Sequence, residues 1–474
     1  MKNKEVRQEA LTIVKNALAS LSNERGLTPR ASQNKMISTV AQTILDTADN
    51  ENDKSRDGAN IVAIEAPTGT GKSFGYLLPA IPIAKKLNKK VVVSTAVVSL
   101  QEQLYQKDIP AIKQNMDMPF TYALAKGRSR FVRAARLEKQ KEAFEALGFK
   151  EDGTFSVGVS DEYTNDAKVL MSMYTEYENG SWNGEQETLK NITENQKKTI
   201  WPKLITDNAG CAKKHCKSYN KCAYYIAKKI WMSADVVIAN HDLVMSDLAT
   251  PEGGVLLPPP AATIYIFDEA HHVPLKARDA FSDTFKTETF KKIPKEIAAF
   301  LNDLGQEWAN EKNYHVKAIG KSIELLKPQY QEDIKSFMEK LTAFVEHLNI
   351  ITKNNSIKEP YVLPYKKEEL DSNNQVQDLM ILMTALRESA IKVKDLIDGI
   401  ALSIVSGKKD VAKAGIDDGN PLLDDAEYTR VAGALGFYNK RYSNLVNTLS
   451  MFVREQPPID NPPYAKWITP DEKN

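Results

Sequence analysis

Four short apolar, β-branched runs punctuate the chain: Ile61-Val62-Ala63-Ile64, Val91-Val92-Val93, Val236-Val237-Ile238 and Ile264-Tyr265-Ile266-Phe267. Continuous apolar runs separated by helical segments are the pattern of central strands in a parallel sheet covered on both faces. Beyond about residue 280 the rhythm becomes helical, with no clear strands. Ile293, Ile297, Phe300, Leu304 and Trp308 keep one stripe, and Val376, Leu379, Met380, Met383 and Leu386 keep another. Leu435, Tyr438, Tyr442, Leu445, Leu449 and Phe452 form a third. Such stripes are the core faces of packed helices. Between the second and third runs lies an insertion, about 121–222, of weak strand character. The pattern predicts an α/β domain over 1–120 and 223–280, interrupted by that insertion. An all-helical domain over 281–456 follows, and then a proline-rich linker, 457–474.

The chemistry sits at the carboxyl ends of the runs, where ligands bind open α/β sheets. The first leads into Ala66-Pro67-Thr68-Gly69-Thr70-Gly71-Lys72-Ser73. A glycine-rich turn between strand and helix aims backbone N–H groups at phosphates, with Lys72 and the helix end completing the cradle. Thr68, Gly69, Thr70, Gly71, Lys72 and Ser73 are therefore the expected nucleotide ligands, although Ala66 replaces the pattern's first glycine. The fourth run enters Asp268-Glu269-Ala270-His271. There Asp268 and the Ser73 hydroxyl would hold Mg²⁺, and Glu269 would orient and deprotonate the attacking water. Together the two segments predict ATP hydrolysis with Lys72, Asp268, Glu269 and His271 in the catalytic centre.

Lysine and arginine number 63 against 62 acidic residues, so affinity for nucleic acid must come from local patches. No apolar stretch approaches the roughly 18 residues of a membrane span. Three cysteines and an N-terminus without an apolar signal region predict a cytoplasmic, disulfide-free chain.

In order and spacing the motifs resemble the iron–sulfur-type superfamily 2 helicases, the group of bacterial DinG and eukaryotic XPD. Pro29-Arg30-Ala31-Ser32-Gln33 is similar to that family's adenine-reading Q motif. Val93-Ser94-Thr95-Ala96 with Leu100-Gln101-Glu102-Gln103-Leu104 is similar to its motif Ia, and Val237-Ile238-Ala239-Asn240-His241 to its strand-plus-NH segment. The resemblance implies a RecA-like motor domain, followed by a helical arch. It assigns Arg30 and Gln33 to the adenine. Ser94, Thr95, Gln101, Asn240 and His241 would lie on the DNA strand path. His271 would couple the nucleotide site to DNA or to a second motor domain.

The family carries a four-cysteine 4Fe–4S site in the insertion. Cys211, Cys216 and Cys222 fit its last three ligands, but Arg133 stands where the first should fall. A metal-free remnant, a labile cluster with one open iron, and a zinc site using His215 all stay open. Lys126, Arg128, Arg130, Arg133, Arg136, Lys139 and Lys141 form one basic cluster, opposed only by Glu138 in sequence. Lys213, Lys214, Lys217, Lys221, Lys228 and Lys229 form another. With Phe131, Tyr219, Tyr224 and Tyr225 interleaved, they predict contact with nucleic acid, Lys126, Arg128 and Arg133 foremost.

Neither a Ser-Ala-Thr motif nor a second-domain arginine motif occurs, and the polypeptide is expected to continue past Asn474. The expected activity is ATP-dependent 5′→3′ DNA unwinding by a monomer acting on single strands and duplex junctions. Its rival is an ATP-binding DNA clamp or scaffold without unwinding. An exonuclease-fused relative is disfavoured by the short segment before Pro29. The missing first cysteine also resembles the type IV CRISPR-associated DinG branch, which would add an RNA-guided complex as partner; a housekeeping DNA-repair or R-loop-clearing role is the other option.

Overall fold

The computed structural model describes residues 2–25, 30–49, 60–67, 69–150, 153–156, 158–190, 192–205, 211, 216, 218–250, 253–354, 361–362, 374–414, 425–453 and 465–469. Two compact units divide the chain: Met1–Thr206 with Ser218–Ser282, and Asp207–Lys217 with Asp283–Asn474.

The first unit is built on a parallel sheet of β1 (Lys90–Thr95), β2 (Tyr122–Leu124), β3 (Val236–Asn240) and β4 (Thr263–Phe267), in the order β2-β3-β1-β4. Val92 of β1 stands opposite Val237 of β3 and Tyr265 of β4. The pleat sends alternate side chains to opposite faces. Val91, Val93, Val236 and Ile238 pack with α3 (Lys72–Lys86), α1 (Lys2–Arg25) and α2 (Ala31–Asp49). Val92, Val237 and Ala239 face Tyr224 and Trp231 of α9 (Ala223–Ser233). Every residue from Gly75 to Ala84 is buried, as expected of a helix apolar on all sides. The α/β reading of the sequence therefore holds.

One predicted strand does not. Residues 60–67 carry no strand assignment, and Ile61 is 80% exposed. An apolar run becomes a strand only where a neighbour accepts its backbone hydrogen bonds, and among the described residues the sheet ends at β4. The region read as an insertion also contributes to the sheet, because β2 pairs with β3 through Ala123 and Val237. The remainder of that region is helical: α6 (Ala134–Ala146), α7 (Asp161–Glu178) and α8 (Glu194–Leu204) enclose Leu137, Phe144, Leu170, Trp182 and Trp201.

The second unit is a helical assembly of α12 (Thr287–Ala309), α13 (Tyr314–Leu325), α14 (Lys327–Asn354), α15 (Asn374–Ala414) and α16 (Asp425–Val453). Its core takes Ile293, Ile297, Leu304 and Trp308 from the first predicted stripe, Val376, Leu379, Met383 and Leu386 from the second, and Leu435, Tyr442, Leu445 and Leu449 from the third. Phe300, Met380, Tyr438 and Phe452 pack at its margin. Gly320 lets α13 press onto α12, because a Cβ there would collide with the Trp308–Ala309 backbone. The linker expected over 457–474 lies largely outside the described residues, apart from the short antiparallel pairing of Trp467–Ile468 with Tyr361–Val362. Among the described residues no helix is long and apolar enough to cross a membrane.

Candidate nucleotide site and nucleic-acid interface

Gly69 and Gly71 adopt φ of +78° and +76° in the turn before α3, the left-handed region that side chains disfavour. Gly71 caps the helix, and a Cβ on it would run into the Gln33 amide. Arg30 and Gln33, at the start of α2, hold this turn from outside: Arg30 Nη1 donates to the Gly69 carbonyl at 2.5 Å and Gln33 Nε2 to that of Gly71 at 3.3 Å. The expected adenine readers thus lie against the phosphate loop. Thr68 lies outside the described residues, and the Thr70 hydroxyl donates to the Pro67 carbonyl at 2.8 Å.

Lys72 and Ser73 open α3, across from the end of β4. Lys72 Nζ pairs with Glu269 Oε1 at 3.1 Å, and His271 Nδ1 lies 3.5 Å from Glu269 Oε2. The Lys72 hydrogen bond and charge hold the Glu269 carboxyl below its usual range. Burial pushes the Asp268 carboxyl up, against the opposing hydrogen bond from Tyr76. The Tyr76 hydroxyl donates to Asp268 Oδ2 at 3.3 Å. Glu269 itself has φ +55°, one of two non-glycine residues in the left-handed region among those described. Such a strained backbone is commonly kept where a side chain must be aimed. All four predicted catalytic residues therefore meet at the carboxyl edge of the sheet. The Ser73 hydroxyl and Asp268 carboxylate offer hard oxygen donors beside one another, a donor set that fits Mg²⁺.

On the expected strand path, the side chains of Ser94, Thr95 and His241 are fully buried, and that of Gln101 nearly so. Ser94 Oγ lies 2.6 Å from His241 Nδ1, while the Ser94 carbonyl accepts the Asp268 N–H at 2.8 Å. His241 Nε2 is buried with no hydrogen-bond partner. Burial lowers the His241 pKa, opposed by the backbone of Glu269 and Asp268. Asn240 caps α10 (His241–Leu248), its side chain accepting the Leu243 N–H at 2.8 Å.

Phe131 and Tyr224, expected as stacking aromatics, are core residues. Arg128 lies over the Tyr224 ring at 4.0 Å. Lys126 is half-buried between Glu185 and Glu187, at 2.9 and 3.4 Å, carboxylates that the sequence reading did not pair with it. Arg133 begins α6, with its N–H donated to the Leu204 carbonyl at 2.9 Å. Cys211, Cys216 and Cys222 are half-buried. Among the described residues no three His, Cys, Asp or Glu side chains converge as a metal site; His215 lies outside them. The sequence reading missed Tyr76 altogether. Its signal was available: three residues past Ser73 and four past Lys72, it shares their helix face.

Residues 171–290 match the DEAD_2 family model. Over 269 residues the chain is 34% identical to the ATP-dependent DNA helicase DinG of Photobacterium profundum. Over these segments the chain is similar to DinG helicases. That alignment covers 56% of this chain and 36% of the relative. The DinG helicase of Escherichia coli is 35% identical over 255 residues, 53% of this chain and 33% of its own. The DinG-like chain thus spans about a third of the length of the relatives it matches. Its DEAD_2 segment contains β3, β4 and the Asp268–Glu269 turn.

Proposed function

We propose that this chain supplies the ATP-hydrolysing centre of a DinG-type DNA helicase that moves 5′→3′ along single strands and opens duplex junctions. The observation that carries the reading is the meeting of Lys72, Ser73, Asp268 and Glu269 at one sheet edge. Lys72 would exchange its Glu269 partner for the β- and γ-phosphates of ATP, which frees the carboxylate next to the attacking water. Once freed, the Glu269 carboxylate, ionised near neutral pH like an ordinary glutamate, would accept that water's proton. Ser73 and Asp268 would hold Mg²⁺, which neutralises charge on the transferring phosphoryl group when bound. Ser94 and His241, tied to Asp268 through the sheet, would link the nucleotide site to the 95–101 segment beside the strand path.

In the same proposal, residues 121–222 and 281–456 serve as the strand-separating module and the arch of a cytoplasmic, monomeric motor. Arg133 in place of the first cysteine supports a role beside an RNA-guided complex, with housekeeping repair as its rival.

The test is unwinding by the complete gene product on matched 5′-tailed and 3′-tailed duplexes. Opening of the 5′-tailed duplex alone, lost in Lys72→Ala, is expected. ATP turnover with no strand separation on either substrate would replace the motor with an ATP-gated DNA clamp or scaffold.

A further inference from the structure

We propose that Tyr76 is a positioning residue that sets the affinity of the nucleotide site for Mg²⁺ by orienting the Asp268 carboxylate. The inference rests on the nucleotide-site reading above. Tyr76 projects from the first turns of α3 and is 4% exposed, its ring fixed in the core beside Leu77, Ile81 and Val93. Its hydroxyl ends at Asp268, at the tip of β4.

A phenol has one proton to donate and lone pairs to accept with. Ionised Asp268 can only accept, so the Tyr76 proton goes to Asp268 Oδ2, at 3.3 Å. Oδ2 of Asp268 is held, and Oδ1 is left for a metal or its water. The backbone of Asp268 is fixed independently by the Ser94 carbonyl at 2.8 Å. The one remaining freedom of the carboxylate, rotation about its side chain, is the one Tyr76 restrains. Partners of this kind around a metal ligand change metal affinity roughly 10–100-fold when removed.

The experiment is equilibrium binding of the fluorescent nucleotide mant-ADP to the full chain, in EDTA and across a Mg²⁺ titration, with a thermal melt in EDTA alongside. Wild type should bind mant-ADP more tightly as Mg²⁺ rises, and Lys72→Ala should weaken binding in both conditions. If either of those fails, the nucleotide-site reading itself falls. Given both, Tyr76→Phe is expected to raise the half-saturating Mg²⁺ roughly tenfold, with EDTA affinity and melting temperature unchanged. In an Asp268→Asn background the same substitution should add little, because the two act through one carboxylate. An unchanged Mg²⁺ midpoint would overturn the proposal. So would an equal loss of affinity in EDTA, additive effects in the double variant, or a Tyr76→Phe chain that does not fold in EDTA, each of which assigns the hydroxyl to the fold.

Discussion

Glu269 stands in a left-handed turn with its carboxylate held by Lys72, and nearby His241 is sealed into the sheet with one ring nitrogen unpartnered. The two residues carry separate roles, and the buried one gives a prediction at once. Burial lowers the His241 pKa, so between that folded value and the unfolded value near 6.5 the unfolded chain binds more protons. Stability therefore rises with pH across that window and is lost as pH falls through it, by at most about 1.4 kcal/mol per pH unit for a single proton. Urea midpoints from pH 5 to 7.5 should show this slope in wild type and lose it in His241→Gln. An identical slope in the variant would remove His241 as the cause. Motif spacing anticipated that Lys72, Asp268 and Glu269 lie near one another, as the structure places them. It could not reveal that Ser94 and His241 turn inward, since burial depends on which strands flank them.

Among the elements, the helical stripes were legible because a helix determines its own buried face. The strand at 61–64 was not, because a strand depends on a neighbour that local sequence does not specify. The ion pairing of Lys126 was not legible for the same reason: its acidic partners, Glu185 and Glu187, lie far along the chain. The α12–α13 contact makes a direct prediction. Gly320→Ala forces the two helices apart and should cost about 1–3 kcal/mol, as overpacked cores do, measured as a fall in the denaturation midpoint. No change would mean the helices are not in contact at this point. For the basic clusters, exposed Lys229 on α9 should count toward single-strand binding while paired Lys126 should not. Lys229→Ala is expected to reduce the slope of log affinity against log salt by about 0.7, and Lys126→Ala to leave it near wild type. The reverse ranking would put the DNA on the other side of the module.

In the molecule as a whole, the proposed function divides binding and chemistry between the P-loop and the Asp268–Glu269 turn. Lys72 would hold phosphates whenever nucleotide is bound; Glu269 would matter only when water attacks. The division is tested most directly by measuring ATP binding and single-strand-stimulated ATP hydrolysis in parallel for the complete gene product, Lys72→Ala and Glu269→Gln. Glu269→Gln should bind ATP at least as well as wild type and turn it over roughly 100-fold more slowly or worse, and Lys72→Ala should lose both. Hydrolysis by Glu269→Gln at the wild-type rate would contradict the assignment of this carboxylate to the attacking water, and with it the division of labour between the two segments.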